Sequence, residues 1–206
     1  MTNPYDRYVL PYLIDVACGM KAIQRQRRDL VALARGHVLE IGIGTGRNLP
    51  FYDRERIDTL CGLDPAAQMH GLARKRARQA NLDVELLSLP AERIPADDES
   101  FDTVLTTFTL CTIPDALAAL REMRRVLKHD GVLLFCEHGR APDADVRRWQ
   151  DRLTPVWKPI AGGCHLNRDI PALLTDGGFA IREIEASYLK GPRPMTYVYR
   201  GQARRD

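Results

Sequence analysis

The sequence predicts a doubly wound α/β domain: a seven-stranded sheet, mostly parallel with an antiparallel last strand, carrying helices on both faces. Short apolar runs recur along the 206 residues with helix-patterned segments between them, the alternation that builds parallel sheets. The first run, Val38-Leu39-Glu40-Ile41, empties directly into Gly42-Ile43-Gly44-Thr45-Gly46, a buried strand feeding a glycine loop. Two final strand-like segments, Ala180 to Ala186 and Met195 to Arg200, are joined closely enough to pair antiparallel.

Composition supports one globular domain over residues 1–206, with 45% hydrophobic and 28% charged residues. Net charge is only +3, too little to argue for nucleic acid, and the basic residues are dispersed with no stacking motif between them. The five cysteines (Cys18, Cys61, Cys111, Cys136, Cys164) are scattered without a CxxC, so reduced thiols in a cytoplasm are expected. No signal peptide is expected, and the apolar run Val9 to Met20, broken by Pro11 and Asp15, is too short to span a bilayer.

Residues 1–35 read as a helical leader, with Tyr5, Tyr8 and Tyr12 followed by a basic amphipathic helix carrying Arg25, Arg27, Arg28 and Arg35. It either lies over a pocket mouth or packs against the sheet; a membrane-surface helix is a third option. A second strand runs from Ile57 to Asp64, and Ala66 to Ala80 is helical with Met69, Leu72 and Ala73 on one side and Arg74, Lys75, Arg76 and Arg78 on a solvated face. Strand three covers Val84 to Leu87, and two prolines make residues 89–95 a loop. Strand four is Phe101 to Thr107. Ligands in open α/β sheets bind at the carboxyl ends of strands, so Thr106, Thr109, Leu110 and Cys111 should face one. Pro114-Asp115 opens a helix with Leu117, Leu120, Met123 and Leu127 at apolar spacing, ended by Lys128-His129-Asp130-Gly131. Val132 to Cys136 is a central fifth strand delivering Glu137-His138 to the same end. Residues 141–170 read as an insertion; with its prolines and glycines, Arg147 to Asp169 is not expected to form one regular helix.

The chemistry gathers around the first two strands. Glycines at 42, 44 and 46 let the backbone turn sharply and approach a ligand. Asp64 follows Gly42 by 22 residues, close to the spacing at which nucleotide-binding folds place a ribose-reading acid. Arg47 stands where the dinucleotide fingerprint needs its last glycine, and no Gly-Lys-Ser/Thr phosphate loop is present.

Glu40, the GxGxG run and Asp64 together resemble motifs I and II of the class I S-adenosylmethionine (SAM) methyltransferases. The resemblance implies a Rossmann-like fold and SAM as cofactor. In that family the loop backbone meets the methionine part and the acid holds the ribose hydroxyls, which places Glu40, Gly42, Gly44, Gly46, Asn48, Asp64 and Pro65 on the cofactor. The loop after strand three meets adenine there, usually through an acid before alanine. Pro90 replaces that acid, so the contact is expected from Ala91 and Glu92, with Thr106, Leu110 and Cys111 completing the cofactor side.

A narrower resemblance rests on Thr109-Leu110-Cys111, Arg125 to Gly131, Glu137-His138, Trp149-Gln150, Pro155-Val156-Trp157 and Gly163-Cys164-His165-Leu166-Asn167-Arg168. These look like the methyltransferase-like family whose animal members are thiol S-methyltransferases. The resemblance implies a small-molecule acceptor, a thiol or sulfide. Animal members carry a membrane anchor that is not expected here, so membrane association is not carried over. The N-terminal half is also similar to bacterial phospholipid N-methyltransferases, which leaves an amine, lipid head group or hydroxyl open. A non-catalytic module binding a partner is the remaining alternative. His165 and His138 are the candidate bases, although a lone loop histidine is more often a surface or hydrogen-bonding residue, with Arg168 and Asn167 as acceptor-positioning groups. Cys164 and Cys111 read as pocket lining. Cys164-His165 lacks further spaced ligands, so no metal site is expected.

Overall fold

The computed structural model describes residues 4–206, so the first three residues of the leader lie outside the described part. Its sheet has seven strands: β1 (Gly36–Ile41), β2 (Ile57–Leu63), β3 (Glu85–Leu87), β4 (Phe101–Thr107), β5 (Leu127–His138), β6 (Phe179–Tyr188) and β7 (Tyr197–Arg205). They are ordered β3-β2-β1-β4-β5-β7-β6. β7 runs antiparallel to both β5 and β6, and the remaining pairings are parallel. The expected topology is therefore found, with the reversed last strand wedged between its neighbours. Edge strand β6 carries Arg182, Glu183 and Glu185, charges that discourage further pairing.

The helices are α1 (Pro4–Tyr8), α2 (Leu10–Cys18), α3 (Lys21–Val31), α4 (His70–Ala80), α5 (Ala116–Val126), α6 (Ala144–Ile160), α7 (Ile170–Asp176) and α8 (Arg193–Thr196). Side-chain alternation along the strands splits the core in two. Leu39, Ile41, Val104, Leu133 and Phe135 pack with Leu120 and Met123 of α5 and Leu174 of α7. Val38, Leu105, Leu134 and Cys136 point the other way, onto Leu30 and Val31 of α3 and Ala77 of α4. In α5, Ala116, Ala119, Leu120, Met123 and Val126 form the buried stripe, and Asp115 caps its start by accepting from the Ala118 amide at 2.9 Å.

Several details differ from expectation, among them the last strand, which runs from Tyr197 to Arg205 behind the short helix α8 rather than from Met195 to Arg200. Arg147 to Asp169 is not one regular helix, as expected, but α6 runs on to Ile160 with Pro155 and Pro159 inside it before the loop begins. Its buried face is Val146, Gln150 and Thr154, while Asp151 and Pro155, whose carbonyls lose their partners to the prolines, are exposed, where water can bond them. Leu127 is not the last helical position: α5 stops at Val126, and Leu127 opens β5 by pairing with Phe101, so the strand absorbs Lys128 to Gly131. Leu117 is only half-buried, its place in the stripe taken by Ala116 and Ala119. In α4, Arg76 leaves the solvated face, for a reason given below.

Candidate active site

β1 continues outward through β2 and β4 continues outward through β5, so the chain changes direction between β1 and β4. At the carboxyl ends of these two strands lies a cavity of about 440 Å³, the place and size at which such sheets hold small ligands. Gly42, Gly44, Asp64, Pro65, Ala91 and Glu92 line it, as expected from sequence. Gly42, Gly44 and Gly46 all have left-handed φ, +71°, +51° and +78°, which a Cβ would strain. The loop is held from beneath because the Gly42 amide donates to the Leu63 carbonyl at 2.7 Å. Asp64 accepts from the Gly44 amide at 2.9 Å and from the Ala66 amide at 2.8 Å. Burial pushes its pKa upward, against the pull of those two amides.

Glu40, Gly46 and Asn48 do not line the cavity. Strand alternation turns Glu40 toward α3, where it is fully buried and accepts from Asn48 Nδ2 at 2.9 Å and Tyr52 Oη at 2.7 Å. Gly46 lies against Leu49 and Ala73. Asn48 Oδ1 in turn accepts from Arg27 Nη1 at 2.8 Å, and the same nitrogen donates to Thr107 Oγ1 at 2.6 Å. These residues are the floor that shapes the glycine loop. Arg27 was read as one cation of an amphipathic helix, yet it is buried, lies 5.1 Å from the centre of the Phe108 ring and reaches the cavity wall.

The loop after β4 shows a similar displacement. Phe108, Thr109, Thr112 and Ile113 line the cavity, whereas Thr106, Leu110 and Cys111 do not. Phe108 has a left-handed φ of +54°, a strained conformation for a bulky residue. Glu137, wholly buried at the end of β5, holds the turn: it accepts from Thr106 Oγ1 at 2.7 Å, the Thr109 amide at 2.9 Å and the Leu110 amide at 3.0 Å. Arg168 grips the same turn from outside, donating to the Leu110 carbonyl and, at 2.6 Å, to the Ile113 carbonyl. A lone acid closing an otherwise apolar strand was the sequence signal for Glu137.

The leader lies over the opening. Leu10, Ile14 and Cys18 of α2 line the cavity. Asp15 accepts from Thr45 Oγ1 at 2.5 Å, from Arg47 at 2.5 and 2.9 Å and from Arg76 at 2.7 and 3.1 Å. Arg76 also donates to the Thr45 carbonyl at 2.7 Å, which is why it leaves the solvated face of α4. Burial raises the Asp15 pKa, but the two guanidiniums outweigh it and hold the carboxyl well below the usual range.

The four residues read as catalytic lie behind the loop after β4, outside the cavity wall. Asn167 donates to Asp151 at 2.7 Å, and the His165 amide donates to the Cys111 carbonyl at 2.8 Å. Burial, with Arg168 and Lys158 nearby, lowers the His165 pKa. His138 is buried, with Nδ1 3.9 Å from Cys164 Sγ, and that sulfur lies 3.5 Å from Cys111 Sγ. Cys111, His138 and Trp157 all favour the Cys164 thiolate, so Cys164 is the more acidic sulfur of the pair.

The two buried glutamates give the protein a distinct pH response. Burial raises both pKa values from 4.5 to about 7. Between those values the folded chain keeps protons that the unfolded chain has released, so the two glutamates' contribution to stability is fully present below pH 4.5 and declines until about pH 7. The decline is expected to be of order 3 kcal/mol per carboxyl. Urea midpoints measured from pH 4.5 to 7.5 should fall, and a flat profile would sink the assignment.

Comparison with known proteins accords with this architecture. Residues 39–135 match a methyltransferase domain family. The chain is 30% identical over 180 residues to the thiol S-methyltransferase TMT1B of Rattus norvegicus, covering 81% of this chain and 73% of that protein. It is 33% identical over 142 residues to the phosphatidylethanolamine N-methyltransferase of Cereibacter sphaeroides, covering 67% and 68%. A SAM-dependent methyltransferase structure from Thermotoga maritima superposes with a TM-score of 0.69 at 23% identity, covering 98% of both chains. Among the described residues, no helix is long and apolar enough to cross a membrane. With the glycine loop, Asp64 and the switch-point cavity in place, the chain belongs to the class I SAM-dependent methyltransferases.

Proposed function

We propose that this methyltransferase acts on a small thiol or sulfide. The observation that carries this reading is the chemistry of the cavity: among the described residues no histidine lines it, and Leu10, Ile14, Phe108 and Ile113 make much of its wall apolar. When bound, SAM supplies an electrophilic methyl group on a sulfonium. An in-line displacement then asks the protein for alignment and exclusion of water. A thiol of pKa about 8.5 is already partly ionised at neutral pH, so it needs little help from a protein base. The similarity to a thiol S-methyltransferase supports the same choice.

On this reading Gly42 and Gly44 bring backbone against the methionine portion, and Asp64 takes the ribose hydroxyls. Arg27 offers a cation to the cofactor carboxylate, and Ala91 with Glu92 meets adenine. Glu137 and Arg168 fix the turn carrying Phe108 and Thr109 against the acceptor. The free thiols of Cys18 and Cys164 suit a reducing, cytoplasmic setting.

The test is methyl transfer from labelled SAM to a panel of small thiols, sulfide, amines and phospholipid head groups. Turnover confined to thiols or sulfide is expected. Turnover only on amines or lipids, the reading favoured by the similarity to the Cereibacter enzyme, would discard the thiol assignment. His165→Ala is expected to keep turnover within about threefold across pH, since losing a general base costs about 100-fold or more. A larger loss with an altered pH profile would restore His165 as the base.

A further inference from the structure

We propose that Cys111, His138 and Cys164 form a binding site for a thiophilic divalent metal of the zinc class, with three protein ligands and a fourth position open to solvent or a small exogenous ligand. The three side chains place one ligand atom each within 4.8 Å of one another, with the sulfurs 3.5 Å apart and Cys164 Sγ 3.9 Å from His138 Nδ1. Zinc bonds of about 2.3 Å to sulfur and about 2.0–2.1 Å to nitrogen set tetrahedral ligand atoms about 3.5–3.8 Å apart. The cluster thus approximates one face of such a tetrahedron. His138 is buried and presents Nδ1 to the Cys164 sulfur, so Nδ1 is the ligand nitrogen.

The ligands come from three elements: Cys111 from the loop after β4, His138 from the last position of β5, and Cys164 from the loop after α6. The backbone already joins two of these, through the His165 amide on the Cys111 carbonyl, so the sulfurs are held together without the ion. Cys164 is only partly buried, which leaves the fourth position accessible. Two thiolates and an imidazole select soft divalent ions over magnesium or calcium. A Cys111–Cys164 disulfide would use the sulfurs but leave His138 unexplained. An ion there would tie the acceptor-side loop to the sheet whether the acceptor is a thiol or an amine.

The test uses the full chain, kept reduced with a phosphine, stripped by a chelator and titrated with Co²⁺, followed by Zn²⁺ in competition. The expected result is one equivalent of Co²⁺ giving thiolate-to-metal charge-transfer absorption and tetrahedral ligand-field bands, both erased by Zn²⁺. Cys164→Ser and His138→Gln, checked for folding by circular dichroism, should each weaken binding at least about 100-fold, while Cys18→Ser keeps it. In the unmodified protein Zn²⁺ should also slow alkylation of Cys111 and Cys164, a readout that needs no variant. Absence of the charge-transfer band at stoichiometric Co²⁺, bands unchanged in the ligand variants, or no protection from alkylation would overturn the site.

Discussion

Asp64→Ala is expected to weaken SAM binding by at least about 100-fold and to remove measurable turnover. The carboxylate accepts from the Gly44 and Ala66 amides, so its loss strands two backbone donors and removes the acceptor proposed for the ribose hydroxyls. Hydrogen bonds to a charged group contribute roughly 1.5–3 kcal/mol each, so two or three together exceed the 2.8 kcal/mol or so that a 100-fold change represents. Asp64→Asn keeps one acceptor oxygen and should retain part of the affinity. Isothermal titration with SAM checks both variants; equal affinity in Asp64→Ala and the parent protein would remove Asp64 from the site.

Glu137→Ala is expected to be the most destabilising single change near the site, lowering the unfolding free energy by about 3 kcal/mol or more. Thr106 Oγ1 and the amides of Thr109 and Leu110 would all lose their acceptor in a buried place. Such stranded donors cost roughly 1–3 kcal/mol apiece. Because the same turn carries Phe108 and Thr109 in the cavity wall, SAM affinity should fall alongside stability. Glu137→Gln keeps one oxygen for the two amides and should cost about 1 kcal/mol, while removing the share of the pH response that belongs to this residue. Urea unfolding at pH 5 and pH 7.5 separates the two effects. Unchanged unfolding in Glu137→Ala would mean that the turn is held by Arg168 alone.

What the sequence made legible followed local chemistry. Apolar runs ending in glycine or in Asp64 marked strands and loops because burial on both faces leaves so little latitude in residue type. The fold and the Gly42, Gly44, Asp64, Pro65, Ala91 and Glu92 part of the cavity were readable that way. Partnerships over long separations were hidden. Asp15 read only as an interruption of an apolar run, because its meaning depends on Arg47 and Arg76 arriving from other elements. Cys111, His138 and Cys164 stand 27 and 26 residues apart, spacings that match no local ligand pattern. Glu40 matched a motif by position, but strand alternation alone determines which side of the sheet it faces, and that side holds Asn48 and Tyr52 rather than the cavity. The extent of α6 past its two prolines was hidden for a different reason: their cost depends on whether the deprived carbonyls reach water, which a linear pattern does not show.

The ion cluster at Asp15 bears on the timing of the catalytic cycle. α2 forms part of the wall above the glycine loop, and lifting it would return a carboxylate and two guanidiniums to water. Asp15→Asn should quicken release by about fivefold, the effect of roughly 1 kcal/mol from a partly exposed cluster, and added salt should act in the same direction. Stopped-flow displacement of demethylated cofactor would show it; a release rate indifferent to both changes would make α2 a fixed wall. A helix placed before the first strand is thus tied to the glycine loop by charge, while the strand ends beneath it hold the rest of the cavity.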